Sequence, residues 1–274
     1  VTCGFGPSAD NEGFTEDYDL PNDTAYAETC ASVAVVLWAQ RMLNMELARE
    51  YADVMERALY NGALSGLSRE GTHYFYENKL ESDGSHRRWD WHPCPCCTMN
   101  VSRLVASIGG YFYSHANDAI VVHLYGSNRA AFELEHGQVD IEQSADFPWS
   151  DRVAITVNPA SPATFDLKLR LPGWCSNPSV TVNGEPVELD ANTAGGYLTV
   201  HREWQAGDTV SLTLPMKTER VYAHPAVRQD VGRVAIQRGP LVYCAEQADN
   251  PGTDLFNARL EDASPLRDAT SDLF

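Results

Sequence analysis

The chain changes its hydrophobic period about two-fifths of the way along. Up to about residue 115, apolar positions recur at helical spacing. The run from Glu28 to Met45, ETCASVAVVLWAQRMLNM, is apolar on nearly every side. That predicts a helix buried over most of its circumference, with Asp23 or Thr24 placed to cap it. Tyr51, Val54, Met55, Ala58, Leu59 and Ala63 form one amphipathic stripe, and Val101, Leu104, Val105, Ile108, Tyr111 and Phe112 form another. After Ser114 the period shortens to two. AIVVHLY from Ala119, then AAFELEH, VDIEQS, RVAITVNP, ATFDLKLRLPG, SVTVNGEPVEL, GYLTVHREW and DTVSLTLPM read as strands. Asn183-Gly184 between two extended segments signals a type I′ hairpin turn. Strands at this spacing, separated by Pro and Gly, predict an antiparallel sandwich. GRVAIQRGPLVYCAEQ from Gly232 reads as two further strands.

The fold class expected is therefore α+β multidomain. Helices occupy 1–115, a β-sandwich 116–216, and the start of a second, incomplete sandwich 217–274. Three helical stripes are few to bury a helix as apolar as the first. The chain opens Val-Thr-Cys, without an initiator Met or a signal-peptide pattern, and closes on DATSDLF without a closing element. The expectation is a piece of a longer protein lacking both ends.

Composition narrows the function. Of 274 residues, 43% are apolar and 21% charged, which fits a globular chain and not a disordered one. The net charge of −18 repels phosphate backbones and anionic lipids, so neither nucleic acid nor membrane is an expected partner. No run of eighteen apolar residues is present to span a bilayer.

The cysteines change the picture most. There are seven: Cys3, Cys30, Cys94, Cys96, Cys97, Cys175 and Cys244. Three fall in His92-Pro93-Cys94-Pro95-Cys96-Cys97, and clustered thiols in a chain that is not disulfide-rich point to metal or catalysis. Cys3, Cys175 and Cys244 read as buried small hydrophobes. Cys96 and Cys97 stand just before the third helical stripe, where free N–H groups and the helix dipole stabilise thiolates. Glu28 and Cys30, at the start of the first helix, converge on one ion only if the backbone there is not yet helical. With Cys96 and Cys97 they would make an S3O set suited to zinc. By spacing alone, a buried Cys30 and a solvated Glu28 fit equally well.

Acidic residues are dense before the first helix, at Glu12, Glu16, Asp17 and Asp19. Such a run is usually a solvated face, but glycoside chemistry also needs a proton donor beside a nucleophile. Aromatic residues cluster near these stretches: Phe14, Tyr18, Tyr26, Trp38, Tyr74, Phe75, Tyr76, Trp89 and Trp91.

Three strings carry a family resemblance. YDLPNDTAYAETCASVA from Tyr18, CPCCTMNVSRLVASIGGYFYS from Cys94 and GRVAIQRGPLVYCAEQADNPG from Gly232 resemble the bacterial β-L-arabinofuranosidases of glycoside hydrolase family 127. The resemblance implies an (α/α) helical barrel, of which 1–115 would be the C-terminal part, followed by β-sandwich domains. It implies Glu28, Cys30, Cys96 and Cys97 as zinc ligands, Cys96 as nucleophile, Glu12 as general acid/base, and Tyr76 and Glu56 near the sugar. Glu16 and Asp17 remain alternative acids. The partner implied is an arabinose-containing oligosaccharide or glycoconjugate, and a homodimer stays open. A bacterial cytoplasmic location is the expectation. Two other readings compete. One is a non-catalytic structural zinc module beside a carbohydrate-binding sandwich; the other is a metal-free redox thiol protein.

Overall fold

The computed structural model describes residues 4–10, 12–189 and 193–269. Cys3, Asn11 and the last five residues lie outside it. The first helix, α1, spans Thr29–Met45. Neither Asp23 nor Thr24 caps it: Asp23 Oδ1 accepts the Thr24 N–H locally, and the helix starts five residues later. Its first free N–H, on Thr29, donates to the Tyr76 carbonyl at 3.0 Å, so a neighbouring backbone segment does the capping. Ser32, Val33, Val35, Val36, Ala39 and Leu43 are buried. The opposite face is open, with Trp38 and Met45 exposed, which corrects the expectation of burial nearly all round.

The second stripe forms α2, Arg49–Ala58, and runs on as a π-helix, Leu59–Leu64. The wider turn carries Asn61, whose amide donates to the Pro240 carbonyl and whose Oδ1 accepts the Val242 N–H, each at 2.8 Å. The third stripe forms α3, Cys96–Ser107, and a short α4, Gly109–Phe112. Cys96 and Cys97 do not precede α3; they are its first two residues. Tyr113 has left the helix, and Tyr113–Ala116 is the first strand, β1. Among the described residues these helices do not close into a barrel, and no helix is long and apolar enough to cross a membrane.

The alternating segments form strands where their period places them. They are β2 Ala119–Val122, β3 Asn128–Leu134, β4 Gly137–Ala145, β5 Arg152–Pro159, β6 Ala163–Arg170, β7 Ser179–Val182, β8 Glu185–Pro186, β9 Thr193–Ala194, β10 Tyr197–Trp204 and β11 Asp208–Thr213. Asn183 and Gly184, between β7 and β8, both have positive φ, at 51° and 87°, as a type I′ turn requires. One sheet has the order β1-β2-β6-β10-β9 and the other β3-β4-β5-β11-β7-β8. The sandwich is not wholly antiparallel, because β2 pairs parallel with β6. Between the sheets, Ile120, Phe165, Leu167, Leu169 and Leu198 meet Ile141, Ile155, Val157, Val210 and Leu212. The outer face of the first sheet, through Val121, Leu124 and Tyr197, packs on the helices. A third sheet, β12 Thr218–Val221, β13 Ala235–Arg238 and β14 Leu241–Tyr243, adds a strand to the two expected. Cys175 is buried, whereas Cys244 is exposed and is not a core residue.

Candidate active site and metal centre

The site is built where two helix N-termini meet. Glu28 is the N-cap of α1, with φ −58° and ψ 139°, so its backbone is not helical. That turns its carboxylate back alongside the Cys30 thiol two residues on. The approach is pinned by Asn78, whose side chain donates to the Ala27 carbonyl at 3.0 Å and to Thr29 Oγ1 at 2.9 Å. Ala27 itself has φ 37°, a costly conformation for a residue with a Cβ. Across from it, Pro95 caps α3 and sends Cys96 and Cys97 into the first turn.

The ligand atoms of Glu28, Cys30, Cys96 and Cys97 all lie within 4.8 Å of one another. Cys30 Sγ is 3.4 Å from Cys97 Sγ, and Cys96 Sγ is 3.9 Å from Cys97 Sγ. Glu28 Oε1 lies 3.3 Å from Cys96 Sγ and 3.6 Å from Cys97 Sγ. Zinc bonds of about 2.3 Å to sulfur and 2.0 Å to oxygen, set tetrahedrally, give S···S edges of about 3.8 Å and S···O edges of about 3.5 Å. The observed edges bracket those values, so the four residues fit a zinc ion in both donor type and spacing.

Charge points the same way. Burial pushes the Cys96 thiol up to about 12. Cys97 is pushed up further, first by its hydrogen bond to Cys30 and then by burial. Cys30 is held below the usual thiol range, first by Cys97 and also by Asn100, whose Nδ2 donates to its sulfur at 3.1 Å. A dication at the centre of the cluster would favour the thiolate form of all three sulfurs. Asn100 lies one turn along α3 from Cys96; its sequence marks it only as part of an N-x-x-R string.

Tyr76 reaches the cluster, with its hydroxyl 3.6 Å from Cys96 Sγ. His92 stacks on the Tyr76 ring at 4.1 Å, and Trp89 meets His92 edge-on at 4.8 Å. Glu12 lies on a loop, with φ 51°, and its Oε1 accepts the Tyr26 hydroxyl at 3.0 Å. Glu12, Glu28, Tyr26, Phe5, Phe14 and Trp38 line a cavity of about 300 Å3. Glu16 and Asp17 are exposed and do not line it. In the sequence, Tyr26 is one of nine aromatics near these stretches and carries no mark of its own.

Glu56 requires a correction. It was expected near the sugar, yet it is 1% exposed. Its carboxylate is held by the Arg170 guanidinium and by Trp174 Nε1, the latter at 2.9 Å. Arg170, at the end of β6, also donates to Asp53 Oδ1 at 2.7 Å. Burial opposes the Arg170 charge, but Glu56 and Asp53 outweigh it and keep the guanidinium cationic. Glu56 ties α2 to the sandwich and offers no surface to a ligand.

Comparison with known proteins shows the family. Residues 1–110 match "Beta-L-arabinofuranosidase, GH127 catalytic domain", 119–216 match "Beta-L-arabinofuranosidase, GH127 middle domain", and 218–270 match "Glycoside hydrolase family 127 C-terminal domain". A non-reducing end β-L-arabinofuranosidase of Bifidobacterium longum subsp. longum is 44% identical over 289 residues, covering 98% of this chain and 43% of its own length. The crystal structure of a GH127 β-L-arabinofuranosidase from Geobacillus stearothermophilus T6 superposes with a TM-score of 0.88 at 48% identity, covering 91% of this chain and 41% of that one. A second GH127 β-arabinofuranosidase structure gives 0.86 at 38% identity, covering 90% and 41%. The chain spans about two-fifths of the length of these relatives. With all three regions matched in order, the chain belongs to glycoside hydrolase family 127.

Proposed function

We propose that this chain carries the catalytic centre of a zinc-dependent, retaining β-L-arabinofuranosidase with Cys96 as nucleophile. The observation that carries the reading is the S3O cluster at two helix entrances, beside a cavity lined by a second carboxylate. Glu28, Cys30, Cys96 and Cys97 would hold the ion. When bound, zinc supplies the positive charge that keeps the sulfurs as thiolates at neutral pH. Cys96 Sγ attacks the anomeric carbon while Glu12 protonates the departing oxygen. The sugar is then held on Cys96 as a thioglycoside. Glu12, now a carboxylate, takes a proton from the water that displaces the sulfur. Two displacements at one carbon retain configuration, as with the usual carboxylate pair. Tyr76, 3.6 Å from the sulfur, orients it or the sugar.

We further propose that α1, α2 and α3 belong to an (α/α) barrel and that the chain divides near residues 115 and 217. Trp38, Met99 and Val105, apolar yet exposed on the helices, support the first point. Breaks between the matched regions at 110–119 and 216–218 support the second. The substrate is an arabinose-containing oligosaccharide or glycoconjugate.

Turnover of a chromogenic β-L-arabinofuranoside by the zinc-loaded enzyme tests the reading. Alkylation of Cys96, or Cys96→Ser, is expected to abolish it. Elemental analysis of Cys97→Ser is expected to show the zinc lost or much reduced. An active Cys96→Ser enzyme excludes the thiol nucleophile, and full zinc retention removes Cys97 from the ligand set. A zinc-bound protein with no turnover favours the structural module instead.

A further inference from the structure

Glu12 is an exposed carboxylate on a loop, and an acid/base that swings freely spends little time aimed at the leaving group. Two features hold it. Its backbone sits in the left-handed region at φ 51°, which a residue with a Cβ adopts only when its surroundings impose it. Its Oε1 accepts the hydroxyl of Tyr26 at 3.0 Å. Tyr26 is itself fixed: it is buried, its N–H donates to the Gly6 carbonyl at 3.0 Å, and its ring meets Tyr76 edge-on at 6.1 Å. It also stands two residues before Glu28. One short, well-anchored segment therefore carries both a ligand of the metal cluster and the donor that grips the acid.

We propose that Tyr26 is a positioning residue for Glu12. Its hydroxyl occupies Oε1, leaves Oε2 to carry the transferred proton, and sets the distance from that proton to Cys96 through the rigid stretch from Tyr26 to Cys30. The inference rests on Glu12 being the proton donor, and it assigns Tyr26 no contact with the reacting atoms.

The test compares an alkyl with a nitrophenyl β-L-arabinofuranoside, because only the alkyl leaving group needs proton donation. Tyr26→Phe is expected to lower kcat/KM for the alkyl substrate about tenfold or more and for the nitrophenyl substrate less than about threefold, chiefly through kcat. Zinc content and melting temperature should hold. 4-Fluorophenylalanine at position 26, which fills the space without a donor, should give the same split. 4-Aminophenylalanine, which keeps a donor there, should restore the alkyl rate. In a Glu12→Gln background, Tyr26→Phe should add less than about twofold, because the two act as one unit. Equal losses on both substrates, or full additivity with Glu12→Gln, overturns the role. If Glu12→Gln alone slows both substrates equally, the reading of Glu12 fails and this inference falls with it.

Discussion

His123 shows how much one side chain's setting can matter. It sits on the loop after β2, buried, with Nε2 2.9 Å from Ser114 Oγ and Nδ1 2.8 Å from the Tyr197 hydroxyl. Burial, and then the nearby Arg170 charge, push its pKa down to about 3. The fold therefore holds it neutral, while the unfolded chain takes up a proton below about pH 6.5. Between those values the unfolded state binds more protons, so stability present above pH 6.5 is lost as pH falls toward 3. The slope is roughly 1 kcal/mol per pH unit. Denaturant titrations from pH 7 to 4.5 should show His123→Asn losing stability less steeply than the parent. Parallel profiles would mean that His123 titrates freely.

Among the elements, α2 depends most on a partner distant in sequence. Its carboxylates Asp53 and Glu56 grip Arg170, and Asp53 Oδ2 also accepts the Gly173 N–H at 3.0 Å. At Gly196, with φ 77°, a Cβ would fall 2.4 Å from Arg49 Cβ, so only glycine lets the turn before β10 approach the start of α2. Removing Glu56 leaves a fully buried guanidinium with Asp53 as its remaining carboxylate partner. Glu56→Ala should cost about 3–5 kcal/mol, read as a lowered melting temperature, and Glu56→Gln should cost less because it keeps hydrogen bonds to the site. An unchanged melting temperature in Glu56→Ala would show that the ion pair is not what ties helix to sandwich.

For the molecule as a whole, the two halves differ in what they leave exposed. The sandwich hides most of its apolar residues between its two sheets or under the helices, with Trp149 exposed, whereas the helical layer leaves Trp38, Met45, Met99 and Val105 in solvent. Covering each would be worth roughly 1.5–3 kcal/mol. That sum rivals the 5–15 kcal/mol, or thereabouts, that holds a domain together. Residues 1–274 expressed alone should bind a hydrophobic dye strongly and tend to aggregate. Residues 113–216 alone should still melt cooperatively, but should bind some dye through the Val121, Leu124 and Tyr197 face that the helices cover, and less of it than residues 1–274. A monomeric 274-residue product without dye binding would show that those side chains are not a liability.

The strands and helices were legible in the sequence because their signal is local. Period-two alternation marked β2 to β7, β10 and β11, Asn183-Gly184 marked its turn, and the stripe from Tyr51 marked α2. The clustered thiols were legible too, since Cys94, Cys96 and Cys97 stand within four positions and cysteine chemistry is narrow. Contacts between distant segments carried no such mark. Whether Glu28 turns toward Cys30 depends on the Tyr76 carbonyl, which caps the Thr29 N–H from a distant part of the chain, and so on tertiary packing. Glu56 looks like any polar residue on an amphipathic helix until β6 brings Arg170 over it. Tyr26 is one aromatic among many until the loop before it folds Glu12 back onto its hydroxyl. The parallel pairing of β2 with β6 goes with a strand, β2, that is buried at every position between the second sheet and the helices. Period and residue chemistry are properties of neighbours in the chain, and the sequence determines them. Which carboxylate meets a cation, a thiol or a phenol is decided by segments that meet only when the core closes.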